Sequence, residues 1–145
     1  MNRFQYIIIL ALLTLGACDS DSPENSIEGF TGLDLVVTEG ATNELVELNV
    51  GVRGNLVSPI TVSYTVVEGT AEFDLDLLPS SGELVFEPGS SSVAVPVTIV
   101  GDDNLELNEN FLVNISFEGQ TTALLYTIED DDEIEEILQD NEGFY

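Results

Sequence analysis

The chain has no histidine, no tryptophan, no lysine and a single cysteine, Cys18; its only basic residues are Arg3 and Arg53. Without histidine and with one thiol, a zinc site of Cys and His, a Cys-His nucleophile and an internal disulfide are all excluded within one chain. The shortage of cations excludes more. Binding to nucleic acid or to an anionic membrane surface relies on Lys and Arg to neutralise phosphates, so nucleic acid is not a partner. Against two cations stand 28 acidic residues, a net charge of −26. Metal cations are the natural counter-charge for carboxylates that have no side-chain partner. An acidic surface kept for solubility accounts for the total equally well, but it does not dictate where the acids cluster. Aromatic residues are few, so the core must come from Val, Ile and Leu, an enrichment that favours strands. A length of 145 residues allows one domain with a modest core.

The first residues read as a secretory leader. Arg3 supplies a positive start, and Tyr6 to Leu15 is an apolar run too short for a membrane span. Leu15-Gly16-Ala17-Cys18 follows, and it resembles the lipobox of bacterial lipoproteins. That resemblance implies cleavage before Cys18, acylation of its thiol and new amine, and a lipid anchor in the cell envelope, at the outer membrane or cell surface. Several acyl chains hold a protein to a bilayer far better than one. An ordinary signal peptide beside a stray cysteine is the competing reading. Cleavage removes Arg3 and leaves one arginine against all 28 acids. The expected organisation is a lipoprotein signal peptide over 1–17, a tether over 18–30, one domain over 31–132 and a short acidic C-terminal tail over 133–145.

From Leu33 onward the hydrophobic period is two. Val46, Leu48, Val50 and Val52 alternate with Glu47, Asn49, Gly51 and Arg53, as a strand with one buried face requires. The same alternation recurs through Ile60, Val62, Tyr64 and Val66, and through Phe111, Val113, Ile115 and Phe117. Seven strands are expected, near residues 33–38, 45–53, 60–67, 83–86, 92–100, 110–117 and 123–128. Pro96 removes a ladder donor from the fifth, which should lie at an edge or carry a bulge. Seven short strands between turn signals predict an all-β, immunoglobulin-like β-sandwich.

Successive strands of such a sandwich run in opposite directions, so the connections alternate between its two ends. One end then collects Glu39, the group Glu72, Asp74 and Asp76, the stretch from Asp102 to Glu109, and Asp130, Asp131 and Asp132. The other end receives ordinary turn residues and a single acid, Glu118. A solubility surface has no reason to choose one end; a metal does. The densest stretch is Gly101-Asp-Asp-Asn-Leu-Glu-Leu-Asn-Glu-Asn-Phe111, with no basic residue near it. Each like-charge pair at 5 Å costs about 1 kcal/mol even in water, and more where protein displaces solvent. An EF-hand does not account for it. Asp102, Asn104 and Glu106 mimic the start of such a loop, but its sixth position is Leu107 instead of glycine and its twelfth is Val113 instead of glutamate.

These same segments resemble the Calx-beta domain family. The residues that carry the resemblance are Thr38-Glu39-Gly40, Val62-Ser63-Tyr64-Thr65 running into Gly69-Thr70-Ala71 and Asp76, Gly82 to Gly89, Asp102 to Phe111, and Thr127-Ile128-Glu129-Asp130-Asp131-Asp132. The resemblance implies a seven-stranded sandwich that binds Ca2+ at one end, with carboxylates from Glu39, Asp76, Asp102, Asp103, Glu106, Glu109, Asp130, Asp131 and Asp132 and a backbone carbonyl at Asn104. Calcium takes six to eight oxygen ligands at about 2.3 to 2.6 Å, which carboxylates on flexible loops supply. Two departures bear on the ligand set. The position before Asp102 is Gly101, where well-ligated members carry an acid. The family's Gly-x-Asp-Tyr is Asp74-Leu75-Asp76-Leu77, so Asp74 substitutes for Asp76 if that loop is shifted by two.

The remaining features have plainer readings. Ile134, Ile137 and Leu138 sit at helical spacing in the tail, and Asp130 to Asp132 would then cap that helix, with or without a role as ligands. Asn114-Ile115-Ser116 matches a glycosylation sequon on a strand and carries no argument. Glu106 and Glu109 as a glycosidase pair would need a substrate cleft between carboxylates of separated pKa, which a small sandwich does not offer; an enzyme is not expected. The expectation is therefore a calcium-binding module with calcium ions and the membrane as partners, and a further protein or glycan partner that the residues do not identify. The alternative is a structural or adhesive immunoglobulin-like module that binds no metal.

Overall fold

A computed structural model describes residues 22–132. Eight strands run in the order β1 (Ser26–Gly32), β2 (Val36–Thr38), β3 (Glu44–Asn55), β4 (Ile60–Glu68), β5 (Ser81–Phe86), β6 (Ser92–Ile99), β7 (Glu109–Phe117) and β8 (Gln120–Glu129), and no helix occurs among the described residues. They form a three-stranded sheet, β1-β3-β6, and a five-stranded sheet, β2-β8-β7-β4-β5. Every ladder is antiparallel except β2 on β8.

The count of eight corrects the expected seven. The stretch read as one first strand near 33–38, preceded by a tether through residue 30, is two strands on different sheets. Ser26–Gly32 pairs with β3, and after a crossing the chain adds Val36–Thr38 to β8. The first of these shows no period of two because the register slips between Ile27 and Gly29, a bulge that puts one residue out of phase. The leader, Cys18 and the tail over 133–145 lie outside the described residues.

Alternation along the strands produces a single core between the sheets. Leu48 and Val50 of β3 and Val95, Val97 and Ile99 of β6 face Val62, Val66, Phe111, Val113, Ile115, Leu124, Tyr126 and Ile128, all nearly or fully buried. Phe111 stacks on Tyr126 with ring centroids 5.6 Å apart, and the Tyr126 hydroxyl donates to the Asn49 carbonyl oxygen of the opposite sheet at 3.4 Å. Burial pushes that hydroxyl up to about 12, with the nearby Asp34 charge adding to it. Pro96 lies on β6, which is an edge strand as its missing donor requires.

Strand direction places the connections as the parity argument expects. The chain passes one pole at the β2–β3, β4–β5 and β6–β7 connections and beyond β8, and the other pole at β3–β4, β5–β6 and β7–β8. The far pole is not as bare of acids as expected, because β1 starts there: Glu28 joins Glu118 on a cleft of about 560 Å³ between β1 and the β7–β8 hairpin.

Candidate metal centre

Three connections and the end of β8 bring carboxylates together at the first pole. The β4–β5 connection is held by Asn110, at the start of β7. The Thr70 hydroxyl accepts the Asn110 N–H at 2.8 Å, and Ala71 N–H donates to the Asn110 carbonyl at 2.9 Å. Gly69 lies so close to Asn110 that a Cβ there would fall 2.4 Å from its carbonyl oxygen, so only glycine fits. From this anchor the chain makes a tight turn. Asp74 adopts a left-handed backbone (φ 67°), its N–H donates to the Leu77 carbonyl, and Asp76 N–H donates to the Glu72 carbonyl. The turn sends Leu77 fully into the core and Asp76 inward, while Asp74 and Leu75 face solvent. Of the two aspartates in this turn, Asp76 is therefore the one directed inward and Asp74 the one exposed.

Asp76 is the one charged residue buried among the described residues, only 9% exposed, and its Oδ2 accepts the Glu72 N–H at 2.6 Å. Glu109, the first residue of β7, and Glu106, from the β6–β7 connection, face it. Oxygens of Asp76, Glu106 and Glu109 lie within 4.8 Å of one another, the only such group of three or more metal-ligating side chains among the described residues. Oxygens no farther apart than this can all reach one ion, because ligands at about 2.4 Å from a shared centre span at most about 4.8 Å. The donors are all hard oxygens with no nitrogen or sulfur, which suits calcium over zinc or copper.

The electrostatics record the convergence. Loss of hydration pushes the Glu109 carboxyl up to about 7 from an ordinary 4.5, reinforced by the hydrogen bond that its protonated form donates to Asp76 and by the charges of Asp76, Glu106 and Glu39. Glu106 is raised by desolvation and then by Asp76, Asp102, Asp130 and Asp132. Glu39 is raised by desolvation and by Glu106, Asp102 and Asp76, against the opposing pull of a hydrogen bond from Asp102 N–H. The one arginine of the described residues, Arg53, is at the opposite pole beside Gly29.

The other expected ligands divide by position. Asp102 and Asn104 line a cleft of about 590 Å³ with Asp76, Glu106 and Glu109, and the Asp102 carboxylate accepts the Asn104 N–H at 2.6 Å. Asp130 reaches the same turn: its Oδ2 accepts the Glu106 N–H at 2.9 Å and its Oδ1 the Asp132 N–H at 3.1 Å. Asp130 is therefore engaged with the carboxylate turn itself. Asp132 is raised by desolvation and by its acidic neighbours, Asp103 among them. Asp103 and Asp131 are exposed and do not line the cleft. Two residues outside the expected set, Thr70 and Glu72, do line it. Glu72 was legible from parity; Thr70 was not, since its place depends on contact with a residue 40 positions away.

Gly101, the second departure, has a steric reason. A Cβ there would fall 1.7 Å from the Gly40 carbonyl oxygen and 2.7 Å from Thr42 N. The β2–β3 and β6–β7 connections press together at this point, leaving no room for an acidic side chain.

The Calx-beta domain family model matches residues 22–142. The chain belongs to the Calx-beta domain family. Sodium/calcium exchanger 1 of Canis lupus familiaris is 36% identical over 63 residues, which cover 43% of this chain. This Calx-beta chain spans about 6% of the length of that exchanger. Adhesion G-protein coupled receptor V1 of Danio rerio is 30% identical over 104 residues, 64% of this chain and 2% of that receptor. Among solved structures, the calcium binding domain CBD12 of CALX1.1 superposes with a TM-score of 0.59 at 25% identity, covering 72% of this chain and 45% of that one. The apo form of the Calx CBD1 domain superposes with a TM-score of 0.55 at 25% identity, covering 71% and 96%.

Proposed function

We propose that this Calx-beta domain binds calcium at its acidic pole and that the ion rigidifies that pole. The observation that carries the reading is the meeting of Asp76, Glu106 and Glu109 within 4.8 Å, with the one basic side chain of the described residues, Arg53, at the opposite pole. Asp102, Asp130 and Glu39 border this triad and complete a set of oxygens of the number calcium takes. The similarity to a solved calcium binding domain of the family supports it. What the bound ion supplies is counter-charge: it ties three connections and the end of β8 into one unit.

The same proposal places the domain in the cell envelope on a lipid anchor at Cys18. The support is the lipobox-like Leu15-Gly16-Ala17-Cys18 and the polar run after it. The described chain starts at the far pole, where the Asn25 side chain accepts the N–H groups of Val57 and Ser58. With β3 spanning 12 residues, an anchored domain holds its carboxylates on the order of 40 Å beyond that attachment. The calcium pole then faces away from the bilayer, as an adhesive or protein-binding module needs.

Melting the metal-stripped protein with and without calcium tests the reading. Calcium at a hundred times its dissociation constant stabilises the folded state by about 2.7 kcal/mol, so the Tm rises by roughly 10 °C or more and falls back in chelator. A Tm indifferent to calcium would instead favour a structural module that binds no metal.

A further inference from the structure

The pole that carries the carboxylates also carries leucine where a connection has no use for it. Leu107 is 86% exposed, Leu75 62% and Leu105 53%. Leu75 and Leu107 border the carboxylate cleft from different connections, β4–β5 and β6–β7, and Leu105 lies one residue removed from Leu107 across Glu106. The fold does not ask for them. All three stand in irregular chain between strands, where strand propensity exerts no pull and polar residues are the ordinary choice. The β4–β5 turn shows the contrast: Leu77 is fully buried and belongs to the core, while Leu75, on the other side of Asp76, stands outside it. A single exposed leucine needs no explanation, but leucines gathered around one cleft form an apolar patch, the mark of an interaction surface.

The charge around the patch selects the partner. Asp74 adjoins Leu75 in the chain, and Asp103 stands just before Asn104 and Leu105; the Asp130 side chain, accepting the Glu106 N–H, brings Asp131 to the same connection. Asp74, Asp103 and Asp131 are exposed and do not line the cleft, so an ion held there leaves them to solvent. A divalent ion offsets two charges and the pole stays negative, with Arg53 at the opposite end of the domain. An anionic bilayer or the same pole of a second copy is repelled by such a surface, whereas a cationic partner is attracted at each contact. We propose that the acidic pole docks a basic amphipathic segment of another protein. Its apolar side chains rest on Leu75, Leu105 and Leu107, and its Lys or Arg side chains pair with Asp74, Asp103 and Asp131. The apolar anchors hold the segment in place, and the carboxylates around them fix the sign of charge it must carry. The proposal goes beyond the calcium reading and does not rest on it, and its test is run in chelator.

The probe is a fluorescein-labelled peptide of Leu and Lys at helical spacing. Its anisotropy on titration with the full chain in neutral detergent, referred to detergent alone, reads the binding. Saturable binding is expected at physiological salt, and the double variant Leu75→Ser, Leu107→Ser is expected to weaken it at least about tenfold. Leu125→Ser, at a leucine 54% exposed on β8, leaves it unchanged. Asp103→Asn together with Asp131→Asn weakens it and flattens its dependence on salt. A peptide with Glu in place of Lys is not bound. Equal affinity in the leucine double variant would show a general attraction to a polyanion and overturn the proposal, as would an equal loss in Leu125→Ser or binding of the Glu peptide. Flotation with phosphatidylglycerol vesicles that the leucine double variant loses would assign the patch to a bilayer, and self-association that it loses would assign it to a second copy; either result also overturns the proposal.

Discussion

The two poles of this sandwich are built alike and charged differently. Each is pinched by a glycine: a Cβ at Gly101 would meet the Gly40 carbonyl at 1.7 Å, and one at Gly54 the Ser26 carbonyl at 1.8 Å. Each carries acids, since Glu28 and Glu118 share the far cleft. Connection length separates them. At the far pole β7 and β8 are joined through Glu118 and Gly119, both with positive φ, a two-residue hairpin turn that offers a single acidic side chain. At the acidic pole, nine residues separate Ile99 from Glu109 and twelve separate Glu68 from Ser81. Those connections are long enough to fold back over the sheet ends and aim carboxylates at one another. Acid count alone does not make a candidate metal centre; loops that can converge do.

Substituting the two pinching glycines breaks the comparison most strongly. Gly101→Ala and Gly54→Ala should each cost on the order of 2 kcal/mol, the range for forcing atoms into a filled site. Their effect on calcium should differ. Gly101→Ala pushes apart the connections that carry Glu39 and Asp102 and should shrink the calcium-induced rise in Tm, while Gly54→Ala should leave that rise intact. Thermal melts of both variants, with calcium and with chelator, make the check.

Asp76→Asn sharpens it further, because two effects of opposite sign are expected from one substitution. Removing the central charge relieves repulsion on Glu106 and Glu109, so the metal-free Tm should rise, by about 1 kcal/mol in stability. The retained side-chain oxygen still accepts the Glu72 N–H. The calcium response should nonetheless disappear, a pairing that general damage to the fold would not produce.

The smallest effect is the pH dependence. The Glu109 carboxyl, raised from 4.5 to about 7, holds its proton more tightly in the folded state than in the unfolded one. Its contribution to stability is therefore complete below the unfolded value and lost as pH rises through about 7. Metal-free protein should melt at a lower temperature near pH 8 than near pH 5, and saturating calcium should flatten or reverse that slope. Glu39 and Glu106 are raised as well and act in the same direction.

Much of this was legible in the residues. Alternation located the strands from β2 to β8, because each has one face in the core and one in solvent, and parity then assigned the acids to a pole without coordinates. The strand at Ser26–Gly32 escaped because its bulge and two glycines erase the period of two. The centrality of Asp76 escaped because a loop is aimed by contacts distant in sequence, here Thr70 and Ala71 on Asn110. Gly101 read as a lost ligand, whereas the cause is the Gly40 backbone lying against it.

Titration calorimetry of calcium into the metal-stripped protein tests the central claim most directly. Saturable binding is expected, accompanied near neutral pH by release of the proton that Glu109 holds, preserved in Glu118→Gln and abolished in the double variant Glu106→Gln, Glu109→Gln. Heats that never saturate, or binding that the double variant retains unchanged, would contradict a calcium ion held at the meeting of Asp76, Glu106 and Glu109.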